Sequence, residues 1–590
     1  MQANSKKDMI FGLRRFQLYR TRDSYGKGFR MEIHMQRAKL CGMRSCCLAG
    51  LWVCLALSAA VAAEDVYVNA QVPWHPAVLD AQGRLLAWYQ PEKNLGYDKV
   101  LRLGWDFIEH KVPNDTRSGT GLKIYLINAV MDGRTLQGAN WQHNPAMVFA
   151  SFVDSLVGWY PYSGDQEAVG VVHQMLDHEL AHGTTPSDWA WPGVPFATNC
   201  DDQPDYGHCI QDMPQEFYGG IETDKVGELG TGYALFYKLT GDRKYLEAAI
   251  RCANALAKHV RPGDAEHTPW PFRVDARTGV TLALEEYGGN VAGSLRLFEE
   301  LLRLNAGDTQ AYRKARDLAW RWMVENLFNR ESPAWNKWTG YFEDVPRQPN
   351  DFNQLTPMAA SYYILAHENP AEADPQWMTH VGDLLDLVKA RLGRGPFFGA
   401  QAIDEQTTPD GRFGCCSRAG QGDHTARWAA VNAMYFEKAH DGQARETAFR
   451  SLNYATYFAR SDGLIACCGG DYSDPYWFSD GYSDYLRHFQ WAMGAIPDFA
   501  PAGQDHILRS SSVVQMVKYS ERSVEYRTFD AAATELLRLS FQPSRITAGG
   551  TPLAEHNDLG TEGYTLRPLS GGDWVLRILH SSSGEVSIKG

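Results

Sequence analysis

The sequence predicts a mainly α protein, a ring of stacked helical hairpins followed by a small antiparallel β-domain. The first observation behind this is an ungapped internal match. Ser163–His182 reads SGDQEAVGVVHQMLDHELAH and Thr240–His259 reads TGDRKYLEAAIRCANALAKH. Both stretches open on a Gly-Asp turn, carry apolar residues at helical spacing and close on histidine. The second observation is that the turn returns at Ala306-Gly307-Asp308 and at His440-Asp441-Gly442, each time between two helical segments. A helix–turn–helix unit that recurs cannot bury its apolar face alone and must stack on its neighbours. The third is a change of pattern after Pro501, where short alternating runs replace the helical spacing.

The elements follow in order. Arg37, Lys39 and Arg44 precede an uncharged run from Ser45 to Ala63 that ends Val61-Ala62-Ala63. A basic flank, a short apolar core and small residues at the −3 and −1 positions predict a secretory signal peptide ending near Ala63. The alternative is an uncleaved anchor, since about 18 apolar residues just reach spanning length. Residues 1–34 read as an over-long start or leader, with Met35 or Met43 as other first residues. Inner helices are expected to begin near Leu95, Asn144, Gly219, Gly288, Asn350 and Asp423, with a further helix from Gly481. Amphipathic partners follow most of them, as at Gln310–Phe328 and Gln443–Ala459. The loops between pairs are long and rich in Trp, Tyr, Gly and Pro, and long loops in a compact domain are commonly functional. They should gather at one end of the ring. Val513–Lys518, Ser523–Phe529, Glu535–Phe541 and Trp574–Leu579 read as strands of a β-domain, a lid or a support.

Composition sets the partners. Apolar content of 44% and charged content of 22% are ordinary for a globular protein. A net charge of −13, spread without long runs, argues against nucleic acid or an anionic membrane as partner. No second apolar span follows the first, so no membrane contact is expected once the signal is cleaved. Cys200 and Cys209 are placed to staple their own loop in an oxidising compartment, and Cys252 falls inside a helix as a buried thiol.

The repeated Gly-Asp turns and the block GGIETDKVGELGTGYALFYKLTGDRKYLEAAIRCANALAKH at Gly219–His259 resemble the six-hairpin glycosidase-like superfamily. The resemblance runs from about Trp74 to Phe499 and implies an (α/α)6 toroid. The domain division is then leader and signal 1–63, toroid 64–502 and β-domain 503–590. The superfamily holds glycoside hydrolases, polysaccharide lyases and sugar epimerases, so the fold alone leaves the reaction open. An exported carbohydrate-active enzyme is the expectation, a glycoside hydrolase first and a lyase or uronate epimerase second. No cofactor or metal is expected, the partner is an oligo- or polysaccharide, and the oligomeric state is open.

Glycoside hydrolysis needs two carboxyls across the scissile bond. Glu222 and Asp224, at the start of one inner helix, and Asp351 and Asp423, at the start of two others, are the candidates. Acidic first turns also simply satisfy the helix dipole. A lyase or epimerase needs a Tyr or His base beside a cationic or polar group, which Tyr287 with Asn290, His424 with Arg427 and His488 with Arg487 supply. Loop aromatics, among them Trp191, Trp270, Trp338 and Trp477, offer flat faces to a sugar or pack the loops against one another.

Two motifs point elsewhere. His178-Glu179-Leu180-Ala181-His182 fits the HExxH pattern of zinc peptidases, but the repeat places it in the last turn of an outer helix, a solvated terminus. Cys415-Cys416 and Cys467-Cys468 suit disulfides between loops or a thiolate zinc site. The β-L-arabinofuranosidases within the superfamily use a zinc-bound cysteine from such a pair as nucleophile. Here Ser417-Arg418-Ala419 replaces their Pro-Pro-Asn. A glycan-binding toroid without catalysis is the remaining alternative.

Overall fold

The structure is a computed structural model. It describes residues 73–90, 94–116, 119–138, 144–197, 219–283, 291–333, 335, 338, 352–407, 420–466 and 475–590. The signal segment, Asp351, Tyr287, Asn290, Cys200, Cys209 and both Cys-Cys pairs lie outside these residues. Cys252 is buried and free. No helix among the described residues is long and apolar enough to cross a membrane.

Twelve helices among the described residues build the ring. They are α1 Asp98–Asp106, α2 Pro145–Ser163, α3 Gln166–His182, α4 Thr223–Thr240, α5 Arg243–His259, α6 Val291–Arg303, α7 Thr309–Trp322, α8 Leu355–Ala366, α9 Trp377–Leu392, α10 Gly422–Ala439, α11 Gly442–Ala455 and α12 Tyr485–Ala495. The even-numbered helices pack in sequence, α2 on α4 on α6 on α8 on α10 on α12, and α12 returns to α2. This closes the inner ring. Each odd-numbered helix from α3 to α11 backs its inner partner, and α1 lies beside α12 to complete the sixth pair. The architecture is an (α/α)6 toroid.

One expectation is corrected here. The helix near Leu95 is α1, an outer helix, and the sixth inner helix is α12. Its nine residues carry a charged face, with Arg102 exposed, which an inner position would bury. The inner helices are buried nearly all round; in α2 only a handful of positions escape full burial. Where α4 meets α6 the backbones nearly touch: a Cβ on Gly227 would stand 2.5 Å from the Ser294 nitrogen, and one on Gly293 would stand 2.9 Å from the Glu228 nitrogen. Glycine is what allows that approach.

The repeated turn has a physical reading. Gly164 and Gly241 end α2 and α4 in left-handed backbone, with φ of 77° and 76°. The aspartate that follows caps the next helix. Asp165 accepts from the nitrogens of Glu167 (3.0 Å) and Ala168 (3.3 Å), and Asp242 accepts from that of Lys244 at 3.1 Å. Asp308 accepts from the Ala311 nitrogen at 3.0 Å and Asp441 from Gln443 at 2.8 Å. In the fourth turn His440 takes the left-handed position (φ 59°), and Gly442 has become the first residue of α11.

The C-terminal strands are β4 His506–Ser510, β5 Val514–Ser520, β6 Ser523–Thr528, β7 Ala533–Leu539, β8 Arg545–Ala548, β9 Thr551–Pro552, β10 Gly563–Pro568, β11 Trp574–His580 and β12 Glu585–Lys589. Among the short strands in the ring loops that precede them are β1 Gly220–Glu222, β2 Arg273–Asp275 and β3 Thr281–Ala283. Two antiparallel sheets, β4-β7-β11-β10 and β5-β6-β12-β8-β9, enclose their own core around Ile507, Leu537, Ile578, Val524 and Ile588. The sandwich docks on the C-terminal ends of inner helices. Gln515 donates to the Lys238 carbonyl (2.7 Å), His506 Nδ1 to that of Tyr162 (2.8 Å), and Arg509 grips Glu437 at 2.6 Å. It therefore covers the end of the ring away from the N-termini of those helices, as a floor and not as a lid.

Candidate active site

The inner helices present their N-terminal turns to one end of the ring. β1, β2 and β3 form a small antiparallel sheet at that end. Glu222, Asp224 and Asp423 all stand there, with α4 and α10 facing each other across six helices. The mouth thus collects the described carboxylates the sequence singled out.

Their surroundings differ. Glu222 lies directly across the sheet from Arg273. Its carboxylate accepts from Arg273 Nε at 3.0 Å and from Asn144 Nδ2 at 3.2 Å, with both charged residues almost wholly buried. This buried ion pair joins the β-sheet to the cap of α2. Asp224 is nearly buried in the first turn of α4, 3.3 Å from Lys225 Nζ, which also lies 3.6 Å from Glu228. Asp423 is fully buried at the start of α10, and neither of its oxygens has a hydrogen-bond partner. Burial, reinforced by nearby Asp480, pushes its carboxyl well above the usual range.

Below the mouth, all six inner helices line one cavity. Asp154 of α2, Glu228 of α4, Arg296 of α6, Tyr362 of α8, Arg427 of α10, and Arg487, His488 and Trp491 of α12 face it. Arg296 binds Asp154 through two contacts of 2.7 and 2.8 Å, and Arg487 reaches the same carboxylate at 3.1 Å. Burial works against the Asp154 charge, yet these guanidiniums hold its carboxyl below the usual range. Asp484, last residue of the π-helical turn Ser479–Asp484 before α12, meets both Arg427 and Arg487. π-turns of this kind often accompany functional sites.

Arg427 lies between two imidazoles. Its Nε donates to His488 Nε2 at 3.3 Å and its Nη1 stands 3.4 Å from His424 Nδ1. Burial, then the neighbouring arginines, lowers His488 well below the usual histidine value. Burial, Arg427 and His488 do the same for His424. Both rings are neutral at neutral pH. His488 Nδ1 and Arg487 Nε are buried polar atoms with no hydrogen-bond partner, and both residues line the cavity. Tyr362 and Trp491 stack at 3.7 Å between ring centroids on the cavity wall.

The loop tryptophans are a correction. Trp191 is buried and stacks on His259 of α5 at 4.4 Å. Trp270 donates its indole N–H to the Leu256 carbonyl at 2.9 Å, and Trp338 donates to that of Leu327 at 3.0 Å. With these side chains buried, they pack the loops and offer no face to a sugar. Trp477 is half-buried in a two-strand ladder opposite Val130. The aromatic wall is instead Tyr362 and Trp491, both inside inner helices. The HExxH stretch also differs from the expected solvated terminus, because Glu179 is fully buried and His178 is buried, leaving only Ala181 and His182 exposed. Among the described residues, two groups have metal-ligand spacing: Glu405–His424–Asp480 at the mouth and Glu109–His110–Glu167 on the outside.

No protein-family model matches the sequence, and no curated protein matches it. Solved structures match its chain path. A sugar epimerase from a ruminal bacterium aligns over 67% of this chain and 98% of its own, at 9% identity and a TM-score of 0.47. A cellobiose 2-epimerase from Spirochaeta thermophila aligns over 68% and 96%, at 10% identity and 0.47. An unsaturated glucuronyl hydrolase specific for heparin aligns over 68% and 98%, at 12% identity and 0.41. The closed ring of six helical pairs in this chain is an (α/α)6 toroid.

Proposed function

We propose that the protein is a carbohydrate-active enzyme that moves a proton at a sugar carbon next to a carboxylate or carbonyl group, as lyases and epimerases do. The observation behind this is the pair of adjacent α12 residues, His488 and Arg487, that line the cavity with polar atoms lacking partners. His488 takes a carbon-bound proton at Nδ1 in the tautomer whose Nε2–H turns from Arg427 to Asp484 Oδ1, 3.3 Å away, and the Arg487 guanidinium stabilises the enolate charge that forms. Asp484 thus orients His488 and holds both arginines. Arginines on three walls favour an acidic sugar. Tyr362 and Trp491 supply the flat surface for its ring. Residues 64–502 serve as the catalytic body and 503–590 as its floor, and the segment ending near Ala63 directs export.

A second reading is favoured by one further observation. Burial raises Glu228 while Arg296 and Arg487 keep Asp154 ionised in the same cavity. An acid and an ionised carboxylate held apart in this way are the parts of a glycoside hydrolase. The two readings separate in one experiment. The purified protein is incubated in D2O with a panel of uronate-containing polysaccharides and reducing oligosaccharides. Deuterium entering the substrate by NMR, or unsaturated uronate appearing by ultraviolet absorbance, supports proton transfer. New reducing ends without either would refute it in favour of hydrolysis.

A further inference from the structure

We infer that the mouth of the ring holds a site for one divalent transition-metal ion, of the zinc or manganese kind, built from Glu405, His424 and Asp480. This goes beyond the reaction proposed above and does not depend on it. The three residues come from neighbouring parts of the mouth. Glu405 precedes the strand Gln406–Thr407, which pairs with Phe352–Asn353 ahead of α8. His424 is in the first turn of α10, and Asp480 is in the π-turn that leads into α12. One donor atom from each lies within 4.8 Å of the others. Small rotamer shifts bring such a set around an ion with bonds of about 2.0–2.2 Å. One imidazole with two carboxylates suits zinc or manganese better than a hard ion such as calcium, which takes six to eight oxygens.

Two features outside the triad point at the same spot. The first is Asp423. It is fully buried, neither of its oxygens has a hydrogen-bond partner, and its Oδ2 stands 3.0 Å from His424 Nε2. Glu405 Oε1 is 3.6 Å from that same nitrogen. Three carboxyl groups thus converge on one imidazole, with Arg427 Nη2 4.0 Å from Asp423 on one side, and a second cation placed among them would be stabilised by all three. The second is the support behind Glu405. Gln421 Nε2 donates to its other oxygen at 2.9 Å, while the Gln421 backbone nitrogen is bound to the Ile403 carbonyl at 2.9 Å. Outer hydrogen bonds of this kind orient metal-binding carboxylates. An ion on His424 Nε2 puts the ring proton on Nδ1. The contact given up, to Arg427 at 3.4 Å, is at the weak end of hydrogen bonding, and Arg427 keeps Asp484.

The test uses tag-free full-length protein stripped with chelator and then dialysed against zinc or manganese. Metal content is measured by plasma mass spectrometry and affinity by calorimetry. The expected result is one tightly held ion in the wild type and in Glu109→Gln, which alters the outer cluster. Asp480→Asn and Glu405→Gln should weaken binding about tenfold or more. Asp480 is only half-buried, so Asp480→Asn should keep the metal-free melting temperature while losing the rise that metal produces. A wild type that binds neither ion overturns the proposal. So does binding that falls in Glu109→Gln and survives in both mouth variants.

Discussion

Glu179 is a carboxyl in the wrong place for a zinc peptidase and in an unusual place for any protein. It is fully buried in the last turn of α3, and neither oxygen has a hydrogen-bond partner. Burial raises its carboxyl well above the usual 4.5. Between pH 4.5 and its folded value, the folded chain keeps a proton that the unfolded chain releases. The unfolded state therefore binds one proton fewer, and stability falls as pH rises, by about 1.4 kcal/mol per pH unit for one group. Above the folded value both states are ionised and the slope vanishes. Glu179→Gln keeps the shape and removes the titration. The stability of wild type minus variant should decline as pH rises above about 5.5, with a slope of at most about 1.4 kcal/mol per pH unit, until the folded carboxyl ionises. Urea unfolding at several pH values measures it, and all other titrating groups cancel in the difference. A difference that stays flat with pH would mean that Glu179 is ionised in the folded protein, and the burial argument would be refuted.

Three other outcomes follow from the geometry. His488→Asn should lower kcat by about 10²–10⁴-fold. The acid limb of the wild-type kcat/KM profile should fall below pH 6.5, because burial, Arg487 and Arg427 lower His488 more than Asp154 raises it; an acid limb above 6.5 contradicts that base. Glu222→Ala or Arg273→Ala, each leaving a buried charge alone, should cost about 3–5 kcal/mol in denaturant unfolding. The double variant should recover part of the loss, and simple additivity would mean the two do not form a coupled pair. Trp338→Ala should cost about 3–5 kcal/mol of stability, whereas Trp491→Ala should mainly raise KM, roughly tenfold. Equal stability losses with unchanged KM would remove Trp491 from the sugar wall.

Much of the ring was readable because one local device recurs. In four of the six pairs a left-handed residue follows the inner helix and an aspartate caps the next, and both leave a mark in the sequence. The matched stretches became the equivalent outer helices α3 and α5. Closure of the ring left no such mark. α1 precedes every Gly-Asp turn and pairs with α12, far along the chain, so only tertiary packing reveals it as an outer helix. The β-sandwich was half legible. β5 and β6 alternate cleanly, as in the buried and exposed positions of Val514–Ser520, and β7 and β11 alternate over part of their length. β4, with the sequence HILRS, does not alternate, because its face is buried partly by the ring.

The mouth was legible and the cavity only in part, through Arg427, Arg487 and His488, for a reason that concerns helices more than sugars. Acidic residues at helix starts stand out, and Glu222, Asp224 and Asp423 were found that way; of these, Glu222 serves an ion pair. Asp154 and the pair Arg487 and His488 lie deeper, inside α2 and α12, whose residues are buried on nearly all faces. Such a helix has no solvent side on which to place a charge. A charge that nevertheless persists there must face either a partner across the ring or a ligand. Asp154 is the only charged residue in Pro145–Ser163, and Arg487 is the only one in Tyr485–Ala495. They bind each other at 3.1 Å across the hollow. A lone charge in an all-buried helix is thus a further sequence signal for a toroid's working interior, and it would have added Asp154 to Arg487 and His488, which stand out already as a base beside a cation.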